Sequence, residues 1–288
     1  MSTTSTNIES TDPQTLLDPF REKIAQIKSL KKWNTRTDEA FLLRFLDVAK
    51  NDLKKALKRY EDYYNVIAKL PGAIDIISRD KPKYQWLLDA MKASEDIMQD
   101  NSSENSDNKP MFAYYGKDKN DRHMLAYDVS SMTKATDVEN FLEASLILSL
   151  ILLDKMIEEN PDINKTGVIS LEEQSGFNMK LMKLWMSNMT LMSNFMKLMD
   201  GAFPLKISKV YIINGPKIIV AFFNLFKPFM SKKMIDKCHF VSDVSTVFDE
   251  IGGNEFVPDV LGGLNEFRRF DCDHEEQLMK IFPSLKEE

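Results

Sequence analysis

Residues 214–237 read NGPKIIVAFFNLFKPFMSKKMIDK and join a nearly all-apolar segment to a run of lysines. Pro216 suits the first turn of a helix, and between Ile218 and Phe226 only Asn224 is polar. A helix on the surface of a water-soluble protein normally keeps a polar face, whereas a helix that spans a bilayer needs roughly 20 apolar residues. The segment therefore predicts either a core helix or a helix that covers an apolar cavity and at times contacts a membrane.

The lysines after the apolar segment favour the second interpretation. Lys227, Lys232, Lys233 and Lys237 follow it within a few turns. Cations beside an apolar helix suit anionic lipid headgroups, and each contributes about 1 kcal/mol near the membrane surface. A core helix with a solvated basic end remains the alternative.

A second segment, predicted as one helix over residues 178–199, also carries more apolar surface than a sheet can cover. Leucine and aromatic residues widen a face on which methionines recur every three or four positions, at Met179, Met182, Met186, Met189, Met192, Met196 and Met199. Flexible thioethers can fill a core or line a pocket for an irregular apolar ligand. Two such helices separated by one strand favour a cavity over a methionine-rich core.

The order of elements predicts a helical N-terminal module followed by an α/β domain. Helical spacing and capping residues indicate packed helices over residues 1–99, and the polar stretch DNSSENSDNKP at 100–110 reads as a linker or long loop. From 111 to 288 strands alternate with helices, which implies a mainly parallel sheet with helices packed against it.

Composition and motifs exclude several classes of protein. A net charge of −6 over 288 residues is unsuited to nucleic-acid binding, and two cysteines agree with a reducing compartment. The opening MSTTSTNIES lacks the features of a secretory signal, so we expect a cytoplasmic protein. Scattered histidines and the lack of catalytic or metal-ligand spacings predict no enzyme, no cofactor and no metal site.

Two stretches resemble the CRAL-TRIO lipid-binding family. DEAFLLRFLDVAKNDLKKALKRYEDYY, at 38–64, is similar to the helical N-terminal module of these proteins. FPLKISKVYIINGPKIIVAFFNLFKPFMSKKMIDKCHF, at 203–240, is similar to the strand and gate helix of their lipid-binding domain, and VPDVLGG at 257–263 looks like a further family motif. The similarity runs from about residue 12 to 263 and is most specific over 203–239.

The resemblance implies a carrier that holds one hydrophobic molecule between the sheet and a mobile gate helix over residues 217–229. Tocopherol, a retinoid, a carotenoid, a sterol or a phospholipid would each suit such a carrier. Phe222, Phe223, Leu225 and Phe226 are expected to face the membrane when the gate opens. Together with the apolar pattern, the resemblance indicates ligand-binding side chains at Phe177, Met179, Met182, Trp185, Met186, Met189, Ile213, Ile218, Ile219, Phe222, Phe223 and Phe226.

Relatives that bind phosphoinositides use a basic cleft beside the gate. The resemblance thus implies a membrane- and phosphoinositide-binding surface at Lys206, Lys227, Lys233 and Lys237. Asp47 and Ala49 stand where relatives carry basic residues, which argues against strong phosphoinositide selectivity. Glu173 takes the place of a family aspartate at the end of its strand.

The expected function is intracellular binding and transfer of a small hydrophobic lipid by a monomer that contacts anionic membranes transiently. The alternative is a lipid-sensing module that recruits a protein partner without bulk transfer. A third option is that the apolar helix is plain core in a protein with an unrelated enzymatic role.

Overall fold

The structure, a computed structural model, describes residues 12–98, 111–242, 244–268 and 273–286. The predicted linker at 100–110 lies outside the described residues, and so does Cys272.

The first part of the chain is a group of packed helices. Asp38 and Asp52 begin two of them, because each side chain accepts a hydrogen bond from the backbone N–H three residues later. The helices are α1 (Leu17–Gln26), α2 (Glu39–Val48), α3 (Leu53–Ile67), α4 (Ala73–Ile77) and α5 (Lys81–Met98), with 3-10 turns at Pro13–Leu16 and Lys28–Leu30.

Aromatic rings form the centre of this helical module. Phe20, Phe41, Phe45, Tyr60 and Tyr63 are fully buried, and the rings of Phe45 and Tyr60 meet edge to face with centroids 5.3 Å apart. Each aromatic pair contributes about 0.5–1.5 kcal/mol beyond the area that it buries. The apolar spacing of α1, α2 and α3 thus closes a core of its own.

A five-stranded sheet dominates the described part of the chain after residue 110. A short β1 (Trp33–Asn34) precedes it in the helical module. The strands of the sheet are β2 (Phe112–Lys117), β3 (His123–Asp128), β4 (Val168–Glu173), β5 (Ile207–Ile213) and β6 (Cys238–Val241). They lie in the order β2-β3-β4-β5-β6. The β2–β3 pair is antiparallel and the other neighbours are parallel.

Helices cover both faces of the sheet. The helices of this part of the chain are α6 (Val129–Ala135), α7 (Phe141–Glu159), α8 (Ile163–Thr166), α9 (Met179–Ser187), α10 (Met189–Lys197), α11 (Lys217–Phe226), α12 (Lys232–Ile235), α13 (Ser245–Ile251) and α14 (His274–Ile281). After α14, β7 (Ser284–Leu285) pairs with β1, which joins the end of the chain to the helical module.

The two faces of the sheet bury different clusters because side chains alternate along a strand. Leu125, Ser170 and Val210 are in register and point to the face that α7 and α11 cover. Their neighbours Ala126, Leu171 and Tyr211 point to the opposite face, where they form a separate cluster with α13.

A buried ion pair ties the helical module to the sheet domain. Arg44 on α2 donates to Asp154 on α7 at 2.6 Å, and both side chains are almost inaccessible to solvent. Arg36 lies 3.8 Å from the second carboxylate oxygen of Asp154. The module therefore packs on α7, the helix that also covers the inner face of the sheet.

The mixed α/β fold with a mainly parallel sheet confirms the prediction from the order of elements. The helix predicted over 178–199 is instead two helices, because the chain leaves helical geometry at Asn188. The Asn188 side chain donates to the Leu184 carbonyl at 2.9 Å, which closes α9 before α10 begins.

Candidate functional site: an apolar cavity under helix α11

A cavity of about 270 Å³ lies between the inner face of the sheet and helices α7, α10 and α11. This volume is near the lower end of the roughly 300–1,000 Å³ typical of ligand pockets. The wall from α7 is a stripe at three- and four-residue spacing, formed by Leu142, Ser145, Leu146, Ser149 and Leu153. Methionine and phenylalanine side chains of α10 and the turn after it form the wall beside the stripe.

Helix α11 covers the cavity with one face. Ile219, Phe222, Phe223 and Phe226 line the cavity, and their i, i+3, i+4, i+7 spacing places them on one side of a helix. The ring centroids of Phe222 and Phe226 are 4.7 Å apart, and that of Trp185 lies 5.0 Å from Phe222. Ile219, Phe222, Phe223 and Phe226 therefore form a mostly aromatic roof over the cavity.

The outer face of α11 and of the turn after it is apolar as well. Val220, Leu225 and Phe229 are 45%, 41% and 38% exposed. The Lys227 ammonium lies 5.5 Å from the ring centroid of Phe223, at the C-terminal end of the helix. An exposed apolar strip next to a lysine is the arrangement that a membrane surface would stabilise.

Two hydrogen-bonded contacts fix the ends of α11. At the N-terminal end, Glu173 accepts a hydrogen bond from the Asn214 side chain at 2.8 Å, and Asn214 adopts a left-handed conformation before the turn. At the C-terminal end, Asp200 accepts hydrogen bonds from the Ser231 backbone N–H and, at 2.7 Å, from the Ser231 hydroxyl. Glu173 thus joins the end of β4 to the start of the roof.

A half-buried carboxyl group lines the cavity. Glu172 lies on β4, and its nearest hydrogen-bonding neighbour is the Ser170 hydroxyl at 3.4 Å. Burial raises the pKa of Glu172 to about 7. Burial and then the charge of Glu172 also raise the pKa of Tyr127 and of Cys238, the latter to about 12, so both of these neighbours are neutral at physiological pH.

The structure brings together some of the sequence-predicted ligand residues. Trp185, Ile219, Phe222, Phe223 and Phe226 line the cavity. Phe177 is buried in a second layer, with its ring 5.6 Å from Trp185. Partly buried side chains that pack on the surrounding core are Met182, Met189 and Ile218.

The remaining predicted ligand residues lie elsewhere. Met179 and Met186 are 51% and 46% exposed on α9. Ile213 is fully buried on the opposite face of the sheet, because its neighbour Ile212 takes the inward position on β5. Of the residues expected to face a membrane, Phe222 and Phe226 are buried in this structure and Leu225 is exposed.

Several lining residues were not among the ligand-binding side chains predicted from the sequence. The methionines at the cavity are Met111, Met132, Met192, Met196, Met199, Met230 and Met234, and the three from the 178–199 segment lie after the break at Asn188. The polar lining residue Glu172 is also absent from the predicted ligand-binding residues. Its position among apolar strand residues, VISLEE, was the signal that could have identified it.

Basic side chains gather beside the C-terminal end of α11. Burial lowers the pKa of Lys237, and the charges of Lys233, Lys206 and Arg59 lower it further, while Asp200 opposes them. Three of the four predicted lysines therefore lie close enough to repel one another. Such a cluster would be stabilised by an anion.

Arg59 is the basic residue of this cluster that the sequence did not reveal. It lies on α3, and its guanidinium donates to the Phe203 carbonyl at 2.8 Å across 144 residues of chain. Burial lowers the pKa of Arg59, and Asp200 and Asp62 raise it in part. The contact brings a cation of the helical module to the edge of the sheet domain.

Within the described ranges, no helix combines the length and the apolar character needed to cross a bilayer. The same ranges contain no group of three or more His, Cys, Asp or Glu side chains placed to hold a metal ion.

Comparison with known proteins agrees with this arrangement. The CRAL/TRIO domain family matches residues 107–263, which is more than half of the chain. Among solved structures, the crystal structure of Sfh5 superposes with a TM-score of 0.56 over 95% of this chain and 98% of that chain, at 9% sequence identity. At this identity the likeness to Sfh5 shows a shared fold. The chain belongs to the CRAL/TRIO domain family, whose members bind and transfer lipids and other small hydrophobic molecules.

Proposed function

We propose that the protein carries one small hydrophobic lipid in its cavity and transfers it between membranes through opening of α11. The proposal rests on one observation, which is that α11 is apolar on both faces. Its inner face roofs an apolar cavity, and its outer face exposes Val220, Leu225 and Phe229 beside Lys227. A helix of this kind is stabilised by cargo when closed and by a membrane when open.

The energetics favour exchange at a membrane. Enclosing several hundred Å² of apolar lipid surface contributes on the order of 10 kcal/mol relative to water, at about 25 cal/mol per Å². A bilayer offers the lipid a comparable free energy, so the cargo gains little by staying in either place. The rate of lipid exchange is then set by the opening of α11. The contacts of Asn214 with Glu173 and of Ser231 with Asp200 hold the segments on either side of this helix.

The cavity volume favours a compact cargo. About 270 Å³ suits one ring system or one chain better than a diacyl phospholipid, because ligand pockets enclose most of the surface of their ligand. A retinoid or a sterol therefore suits this volume better than a carotenoid or a phospholipid does.

Native mass spectrometry and solvent extraction of protein purified from its native source test the first step. A stoichiometric hydrophobic adduct is expected, and a protein that stays empty when offered lipid vesicles would overturn the proposal. Transfer of a fluorescent lipid between donor and acceptor liposomes tests the second step. A loaded protein that fails to transfer would favour the lipid-sensing module over the carrier.

We further propose that the basic cluster binds anionic headgroups, including phosphoinositides, and holds the protein transiently at cytoplasmic membrane surfaces as a monomer. Lys206 and Lys233 flank the half-buried Lys237, and each cation near an anionic surface contributes about 1 kcal/mol. Neutralising two of them in Lys206→Gln with Lys233→Gln should weaken binding to phosphoinositide vesicles by roughly ten- to thirtyfold.

Matched controls make this test specific. Lys31→Gln with Lys54→Gln removes the same charge from exposed positions of the helical module. Binding of the cluster variant to neutral vesicles should stay near that of the wild type. Equal weakening by both pairs of substitutions, or equal weakening on neutral vesicles, would contradict a local headgroup site.

A further inference from the structure

Glu172 lies on the cavity face of the sheet by strand register. It is paired with Tyr127 of β3 and Ile212 of β5, and all three side chains line the cavity. Ser170, two residues earlier, points to the same face. The carboxyl group therefore stands on the floor of the cavity, opposite the aromatic roof of α11.

The carboxyl group is poorly satisfied by the protein. A separation of 3.4 Å from the Ser170 hydroxyl makes a weak hydrogen bond. Burial raises the pKa of Glu172, and the cause that opposes it is the Ser170 hydrogen bond and not a nearby cation. A buried carboxylate without a partner is destabilising, and the raised pKa of Glu172 reports that cost.

Further polar atoms near the floor also lack protein partners. Gln174 lies two residues after Glu172 on the same face, and its side-chain oxygen forms no hydrogen bond with the protein. The indole N–H of Trp185, on the wall beside the roof, is likewise buried without a partner. Buried polar groups are normally hydrogen-bonded, so the residues that line the cavity leave one further acceptor and one donor unsatisfied by the protein.

The charges of the lining decide which polar end is accepted. Glu172 and Asp200 both line the cavity, and the lining has no basic residue within the described part of the chain. Asp200 is occupied by Ser231 after the C-terminal end of α11, which leaves Glu172 as the charged acceptor that faces the cargo. An anionic head placed here would meet a like charge and no counter-ion.

The geometry points to a cargo with a hydrogen-bond-donating head, a hydroxyl or an ammonium group, that binds the Glu172 carboxyl while its apolar body lies under α11. Glu172 is then the specificity-determining residue, and it excludes hydrophobic molecules with carboxylate or phosphate heads from the cavity. This inference rests on the proposed function, because it specifies the cargo of the same cavity. The basic cluster, which lies outside the lining, takes anionic headgroups of the membrane instead.

Three probes with one chain length test the inference on the full-length protein: dodecan-1-ol, dodecylamine and dodecanoate. Binding is measured by isothermal titration calorimetry at about pH 8, above the pKa of Glu172, so that its carboxylate is mostly ionised. The wild type should bind the alcohol and the amine at least tenfold more tightly than dodecanoate. The two favoured probes also distinguish a neutral donor from a cationic one.

Glu172→Gln keeps the size of the side chain and removes its charge. This variant should lose about tenfold in affinity for the amine and gain about tenfold for dodecanoate, so that the amine no longer binds more tightly than dodecanoate. Ser145→Ala is the matched control on the α7 wall, where the hydroxyl already donates to the Leu142 carbonyl at 2.9 Å. It should change the three affinities by one common factor. Thermal melting verifies that both variants fold.

The outcomes distinguish the role of Glu172 from the lipid-binding function of the cavity. Equal wild-type affinity for the three probes, or an unchanged ranking in Glu172→Gln, would refute the role of Glu172 while leaving the cavity as a lipid site. If the wild type binds none of the probes and carries no adduct in native mass spectrometry, the proposed function fails together with this inference.

Discussion

Removing the apolar surface of the outer face of α11 should weaken docking to membranes without opening the cavity. Leu225 and Phe229 expose 41% and 38% of their surface. Full transfer of such a side chain out of water contributes about 1.5–3 kcal/mol, so the exposed parts supply about 0.6–1.2 kcal/mol each. Since 1.4 kcal/mol is tenfold in affinity, Leu225→Ala with Phe229→Ala should weaken vesicle binding by about five- to fiftyfold.

Vesicle co-sedimentation at fixed lipid composition measures this change. Ile74→Ala is the control, because Ile74 is 77% exposed on α4 of the helical module and is more accessible than either residue of α11. Lipid transfer should fall with docking, while the stoichiometry of bound cargo stays the same. The reasoning is refuted if Ile74→Ala weakens binding as much as the double variant does, or if the double variant binds vesicles like the wild type.

Three further predictions concern stability. Asp154→Ala should cost about 3–5 kcal/mol in urea unfolding, because it leaves Arg44 buried without its partner; no loss would show that the pair is dispensable. The hydrogen bond with Glu95 raises the pKa of His274 above its ordinary 6.5. The contribution of this pair to the free energy of unfolding is therefore complete below about pH 6.5 and is lost as the pH rises through the higher pKa of the folded protein. His274→Gln should flatten this pH dependence of stability. Gly263→Ala should destabilise by about 1–3 kcal/mol or more, since a Cβ would lie 2.1 Å from a backbone carbonyl oxygen, and a wild-type melting temperature would contradict that packing.

The fold was largely predictable because its signals are local. The apolar run from Ile218 to Phe226 and the turn before it define α11 without reference to the rest of the chain. Side-chain caps at Asp38 and Asp52 mark helix starts in the same way. The alternation of strands and helices predicted the mainly parallel sheet. Strand β6 (Cys238–Val241) was not predicted, because it is short and half-exposed.

Which residues line the cavity was harder to predict, because this depends on how each helix is rotated about its axis and on which residues of each strand face the cavity. The break at Asn188 turns α10 relative to α9, so the wall contains Met192 rather than Met186. On β5 the inward residue is Ile212 and not Ile213, and a strand read alone does not say which parity faces the cavity. Arg59 reaches its partner across 144 residues, a separation that no local pattern reports.

The methionine-rich lining makes the cavity vulnerable to oxidation. Seven methionines of the described chain border the interior, and oxidation would convert a compliant thioether there into a polar sulfoxide. The new oxygen would need a hydrogen bond that the surrounding leucines and phenylalanines do not supply. A peroxide that entered while α11 was open would therefore weaken the binding of apolar ligands in the cavity. Reduction of the sulfoxide would restore that binding.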